Sequence, residues 1–299
     1  MTENKPNNTL ILIKSARPWS LLTALLAYAM GLGVAVYLGE PLNGAAVVLG
    51  AGCVLLLLVA AYYLHIYFSW FQPGFKLEGE EKLPPVLSRN LFLNTAVACL
   101  AGGAVLSTYI YLRTQGGAAL WLLLGSGLIL AVFYGVPPLR LVYSGYGELV
   151  EAVLVCNLPP SLAFLLQSGD IHRFIAMLSL PVTFLYLAML LALLLPGYAS
   201  DLKYGRKTLM VRMGWQTAMN LHNVLILCAY ALLAGALIMG LPFNLAIPAI
   251  ATLLLAVFQI WQVYQIAQGA KPHWRWLTLI ARALPVLMIY LLTVAMWIG

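Results

Sequence analysis

One acid and four cations stand together in LLPGYASDLKYGRKTLMVRMGW, Leu194 to Trp215. They are Asp201, Lys203, Arg206, Lys207 and Arg212, a net +3 from five residues between two long apolar runs. Cations at that density attract a phosphate-bearing anion. A lone carboxylate among them is a poor holder of Mg²⁺, which takes several hard oxygens. The local expectation is that Asp201 pairs with a neighbouring Lys or Arg. A second polar group lies in FYGVPPLRLVYSGYGELVE. Pro137 and Pro138 stop a helix there, since proline lacks the N–H donor and clashes in a helix interior. Arg140 and Tyr143 follow, and Gly145 and Gly147 flank Tyr146 in a tight re-entry. Glu148 and Glu151 share one face of the next helix's first turn, where acids suit the helix dipole. The functional reading is that one of them faces a cavity and pairs with Arg140. His65 and His222 stand near the ends of apolar runs, where each could hydrogen-bond a quinone or phenol oxygen. A haem would need a second matched ligand that the sequence does not supply, and a hydrogen-bonded interfacial histidine is the simpler reading for both. Tyr62, Tyr63, Tyr67, Phe68, Trp70 and Phe71 crowd the same stretch as His65, and an aromatic belt at the membrane interface accounts for most of them.

The elements that position these groups follow from hydropathy. The 299 residues are 63% hydrophobic and 8% charged, with mean hydropathy +0.93, which excludes a soluble domain of this length. Runs of about 20 apolar residues are needed to span a bilayer. Nine occur, roughly at 19–38, 45–69, 91–112, 118–136, 147–167, 174–195, 221–240, 244–266 and 276–298. Continuous runs of this kind are helices, not barrel strands. The expected architecture is all-α: a polytopic membrane protein with nine transmembrane helices around a central cavity opening to the cytoplasmic side. It is read as a single domain over 1–299, with helices 1–4 and 5–8 as pseudo-repeats and helix 9 added. No signal-peptide cleavage pattern precedes the first span, which is expected to be retained. Fourteen of the 16 basic residues fall on one side of this topology, leaving only Arg113 and Arg173 for the other. The positive-inside rule then places the N-terminus in the cytoplasm and the C-terminus on the opposite side. Topology and anionic lipid account for the net charge of +7 without a nucleic-acid partner. Cys53, Cys99, Cys156 and Cys228 all fall inside spans without CxxC spacing and read as small buried apolar residues.

Three stretches resemble the UbiA superfamily of intramembrane prenyltransferases, closest to the branch that prenylates 1,4-dihydroxy-2-naphthoate. ARPWSLLTALLAYAMGLGVA resembles the family's opening Arg-Pro motif and first helix. FYGVPPLRLVYSGYGELVEAVL resembles its Tyr-x-x-Pro-Pro segment, and DLKYGRKTLMVRMG the tail of its second aspartate motif. The resemblance implies ionisation of a prenyl diphosphate and alkylation of an acceptor, often aromatic, with Mg²⁺ held by two aspartate-rich motifs. This chain departs from both. The first motif's Asn falls on His65, and its three Asp positions fall on Ile66, Ser69 and Pro73. The second motif's earlier Asp falls on Gly197, and only Asp201 remains. Pro196-Gly197 is expected to distort the end of helix 6.

The implied site therefore has Asp201 as its catalytic residue. Arg17, Arg140, Tyr143, Lys203, Arg206, Lys207, Arg212, His65 and Ser69 are its substrate-binding residues, with no metal ligand set. Mg²⁺ is the implied cofactor if the chain is active. Glu78, Glu80 and Glu81 could replace the lost aspartates, although a solvated charge run beside Lys76 and Lys82 is the default. The partners implied are an isoprenoid lipid or quinone, membrane lipids and other membrane-protein subunits. Two readings follow. One is a divergent prenyltransferase with altered metal use. The other is a catalytically inactive subunit that keeps the cavity to bind a quinone, pigment or lipid.

Overall fold

Apolar segments in a bilayer must satisfy their backbone N–H and C=O groups internally, so these runs have to fold as helices. The computed structural model describes residues 8–73, 75, 86–114 and 117–298. Among the described residues every regular element is helical. The helices are α1 (Asn8–Ser15), α2 (Pro18–Tyr37), α3 (Gly44–Ser69), α4 (Val86–Thr114), α5 (Ala118–Gly135), α6 (Gly147–Ala152) and α7 (Leu158–Ser168). They continue with α8 (Arg173–Leu194), α9 (Tyr198–Lys203), α10 (Leu209–Met213), α11 (Trp215–Ile238), α12 (Phe243–Ile250), α13 (Leu253–Ala267) and α14 (Trp274–Ile298). Among the described residues eight helices are long and apolar enough to cross a membrane, and α12 with α13, bent by 42°, passes the same test when the two are taken together as one broken span. The nine apolar runs of the sequence each meet one of these. The bend follows Pro248, and Thr252 closes it by donating to the Ala249 carbonyl at 2.6 Å.

Prolines set the local geometry around the site. The helix of Ala118–Gly135 ends just before Pro137-Pro138, as the sequence requires. Between α6 and α7 the chain forms a π-helical segment, Val153–Asn157. Pro159 and Pro160 follow it. They carry no N–H for the carbonyls four residues earlier, and the wider turn relieves their ring clash. At the end of α8, Leu195–Gly197 tightens into a 3₁₀ turn containing Pro196 before α9 resumes, so the expected distortion is present.

The spans Gly147–Ser168 and Arg173–Lys203 are the most buried and Arg89–Arg113 the least. The bundle is therefore centred on α7 and α8. α2 packs against α7 and α14, α8 against α11 and α14, and α3 against α4 and α5. Small residues permit the closest approaches. A Cβ on Gly31 would overlap the Pro160 backbone of α7, and one on Gly135 would overlap the His65 backbone of α3.

Candidate functional site

A pocket of about 950 Å³ lies at the end of the bundle where α2 and α6 begin and α3, α5 and α8 finish. Lys14, Ser15, Arg17 and Ser20 come to it from the first two helices. Tyr62, His65 and Ile66 come from α3, Tyr134 from α5, and Tyr143 from the 3₁₀ turn Leu141–Tyr143. Glu148 and Glu151 come from α6. Met189, Leu190, Leu193 and Leu194 from α8 supply an apolar wall. Asp201, Arg206, Thr208, Thr278 and Arg282 line it as well.

Glu151, buried, is the centre of a hydrogen-bond network. Arg17 Nη1 donates to Glu151 Oε2 at 2.7 Å and to the Tyr134 hydroxyl at 3.2 Å. Tyr134 donates to the same carboxylate oxygen at 3.0 Å. Tyr62 and Ser20 donate more weakly to Oε1, each at 3.4 Å, and Tyr186 donates to Ser20 Oγ at 3.0 Å. The Arg17 guanidinium also lies 5.1 Å from the Tyr62 ring centre. Withdrawal from water is the largest single influence and disfavours the Arg17 charge, but Glu151, Tyr134 and Tyr62 together more than offset it and hold the guanidinium's pKa above its ordinary value.

The expected partner of these acids was Arg140, and the structure corrects that. Arg140 Nη2 donates to the Phe68 carbonyl at 2.6 Å, and its guanidinium sits 5.2 Å from the Tyr143 ring centre. With the Gln72 amide oriented to satisfy its neighbours, its oxygen accepts from Arg140 Nη1 at 2.8 Å and its nitrogen donates to the Tyr143 hydroxyl at 3.2 Å. Arg140 is thus spent tying the end of α3 to the turn after α5. Glu148 takes neither arginine. Its carboxylate accepts the Leu209 N–H at 3.3 Å, fastening α6 to the first turn of α10.

The cationic stretch after α8 divides. Asp201, buried, faces Arg206 at 3.5 Å, and both line the pocket. The expected local pairing of Asp201 is present. Arg212 donates to the Ser144 carbonyl at 3.0 Å and lies 4.6 Å from the Tyr146 ring centre, so it braces the α5–α6 connection. Lys203, Lys207, Arg212 and Arg140 are not among the lining residues, whereas Arg17, Tyr143, Arg206 and His65 are. Ser69 sits one turn from His65 and holds its Nδ1 at 3.2 Å. His222 is buried on α11, hydrogen-bonded through Nδ1 to Asn223, and is not a lining residue. Of the six clustered aromatics only Tyr62 reaches the pocket. Tyr67 and Phe71 flank Arg89, and Tyr63 and Trp70 pack on Phe92.

Sequence reasoning missed Ser20, Tyr134 and Tyr186 in the network, and read Lys14 and Arg282 only as topology charges. Tyr134 stood within the FYGVPP stretch. Tyr186 carries no signal, since one tyrosine in an apolar helix reads as core.

The donor set can be tested against Mg²⁺. At the aspartate-motif positions stand His65, Ile66, Ser69, Pro73 and Gly197, with Asp201 as the one carboxylate. Among the described residues three acids line the pocket, and each already has a protein partner: Glu151 has Arg17, Asp201 has Arg206 and Glu148 has a backbone N–H. Among the described residues no group of three or more His, Cys, Asp or Glu could hold a metal ion. The described residues do not fit Mg²⁺. Glu78, Glu80 and Glu81 lie outside them.

Together, the nine apolar spans and the basic, tyrosine-lined pocket define a polytopic membrane protein with a polar site sunk into one end of its helix bundle. The UbiA prenyltransferase family matches residues 81–284, and the chain belongs to that family. It is 28% identical over 148 residues to the 1,4-dihydroxy-2-naphthoate octaprenyltransferase of Bacillus subtilis (strain 168), which amounts to 50% of this chain and 47% of that one. The chain thus matches about half the length of this curated relative. Its fold is that of a UbiA homolog from Archaeoglobus fulgidus bound to GPP and Mg²⁺ (TM-score 0.67, 15% identity, 94% of this chain and 99% of that one). A structure described for digeranylgeranylglyceryl phosphate synthase in membranes is similar as well (TM-score 0.64, 15% identity, 98% of each chain).

Proposed function

We propose that the protein binds an isoprenoid in this pocket, with the polar or anionic head among Lys14, Arg206 and Arg282 and the tail along α8. The observation that carries this reading is one pocket bringing those cations together with the wall formed by Met189, Leu190, Leu193 and Leu194. A charged head and an apolar tail each find matching surface there, as ligand sites of this kind require. The archaeal relative bound to GPP and the octaprenyltransferase relative support the same ligand class. The basic loops on the pocket side support a cytoplasmic-facing pocket.

Prenyl transfer to an aromatic acceptor is the second reading, favoured by Asp201 facing the pocket. In a subunit without transfer activity the same pocket would hold a quinone, pigment or lipid. Native mass spectrometry with lipid extraction, on protein purified gently from its own membrane, tests the first reading. A stoichiometric isoprenoid is the expected result, and a pocket filled only by bulk phospholipid overturns it. Turnover lost in Asp201→Ala with the fold intact would support transfer. Equal product from wild type and Asp201→Ala would remove Asp201 from the site.

A further inference from the structure

We infer that the pocket takes a prenyl diphosphate without a divalent cation, the charge being met by Lys14 and Arg282 beside the Arg206–Asp201 pair. This rests on the isoprenoid reading above and goes beyond it by assigning what neutralises the head. A diphosphate entering a low-dielectric site must have its charge balanced. Metal ions do this by bridging carboxylates to phosphate oxygens. Here the acids are already engaged: Asp201 faces Arg206 at 3.5 Å and Glu151 holds Arg17 at 2.7 Å. A divalent ion placed beside them would compete with guanidinium groups already in position. The cations are differently disposed. Lys14 and Arg282 line the pocket, are exposed, and make no ion pair among the described residues. They approach from α1 and α14, two different walls. Lysine and arginine supply charge-assisted donors to phosphate oxygens directly.

Equilibrium binding of farnesyl diphosphate and of farnesol to the full chain in detergent tests this, each measured in EDTA and in Mg²⁺. The expected result is diphosphate binding equal in both conditions within about twofold. The double variant Lys14→Gln/Arg282→Gln should weaken the diphosphate by about tenfold or more and the uncharged farnesol by far less. Both side chains are exposed, so the variant should fold, which its melting temperature checks. Diphosphate binding that appears only with Mg²⁺, or tightens about tenfold with it, overturns the inference and points to acids such as Glu78, Glu80 and Glu81 completing a metal site. Farnesol binding without diphosphate binding also overturns it, while leaving the isoprenoid pocket standing. Binding of neither ligand defeats the isoprenoid reading itself, and this inference with it.

Discussion

Arg17 adopts a left-handed backbone conformation (φ 52°, ψ 66°), as does Arg140 (φ 38°). For a residue with a Cβ that conformation costs about 1–2 kcal/mol. At Arg17 the opposing interaction is visible: the turn aims the guanidinium at Glu151. Arg17→Ala should leave that carboxylate buried among tyrosines without its counter-charge. A fully buried pair broken on one side loses about 3–5 kcal/mol. The Arg17 side chain is 36% exposed, so we expect roughly 2–3 kcal/mol, read as a lower melting temperature in detergent. A double-mutant cycle checks the partner assignment. Arg17→Ala and Glu151→Gln should couple strongly, whereas Arg140→Ala and Glu151→Gln should add within about 0.5 kcal/mol. Coupling of Arg140 instead of Arg17 would sink the assignment. Glu148 and Glu151 could be noted from sequence as a pair of acids of which one faces the site, but not which one. The partner of Glu151 could not be read either, since Arg17 lies 134 positions away and Arg140 only 11. Periodicity reports which face a residue shares on its own helix, not which helix comes to meet it.

At the scale of elements, glycine and proline do most of the positioning. Gly135 allows α5 to press against α3 at His65, which puts the rings of His65 and Tyr134 5.8 Å apart in the pocket lining. In Gly135→Ala the new methyl meets the His65 backbone, which cannot swing aside as a long side chain would. The expected cost is about 1–3 kcal/mol, with weaker isoprenoid binding because His65 and Tyr134 shift together. Gly103 on α4 has open space around the same position, so Gly103→Ala serves as the control. It should melt at or slightly above wild type, helix propensity favouring alanine by about 1 kcal/mol. Equal melting temperatures for the two variants would mean that the α3–α5 contact does not bear on stability. The helix stops at Pro137-Pro138 and the turn at Pro196-Gly197 were legible because proline acts through its own covalent geometry. The π segment at Val153–Asn157 and the contact at Gly135 were not. The first answers to two prolines placed after it, and the second to a neighbouring helix 70 positions away.

For the whole molecule, the direction of each span decides whether α12 and α13 cross the membrane. α10 is fastened to Glu148 at the pocket, so α11 starts at the pocket end and runs away from it. Arg282, in the first turns of α14, lines the same pocket, so α14 also starts at that end. The bent pair between them must therefore return across the bundle, which makes nine crossings. Its 23 helical residues suffice at about 1.5 Å each to cover a core about 30 Å thick. The charges agree: Lys271, Arg275 and Arg282 then join the basic pocket side, and Arg113 and Arg173 stay opposite. The hydropathy runs made the count legible, since each is close to or above the length a bilayer demands. A cavity on the basic side was also expected, from the polar loops and the family resemblance, but which side chains meet in it was not legible, because that depends on distant helices converging. Reporter fusions along the chain test the arrangement. An N-terminal fusion and one after Ala270 should report the cytoplasmic side, and fusions after Gly240 and at the C-terminus the opposite side. A C-terminal reporter on the cytoplasmic side, with Gly240 still opposite, would mean that the chain crosses an even number of times. The α12–α13 pair would then be re-entrant, and Arg282 could not line the pocket from the side on which the cationic loop lies.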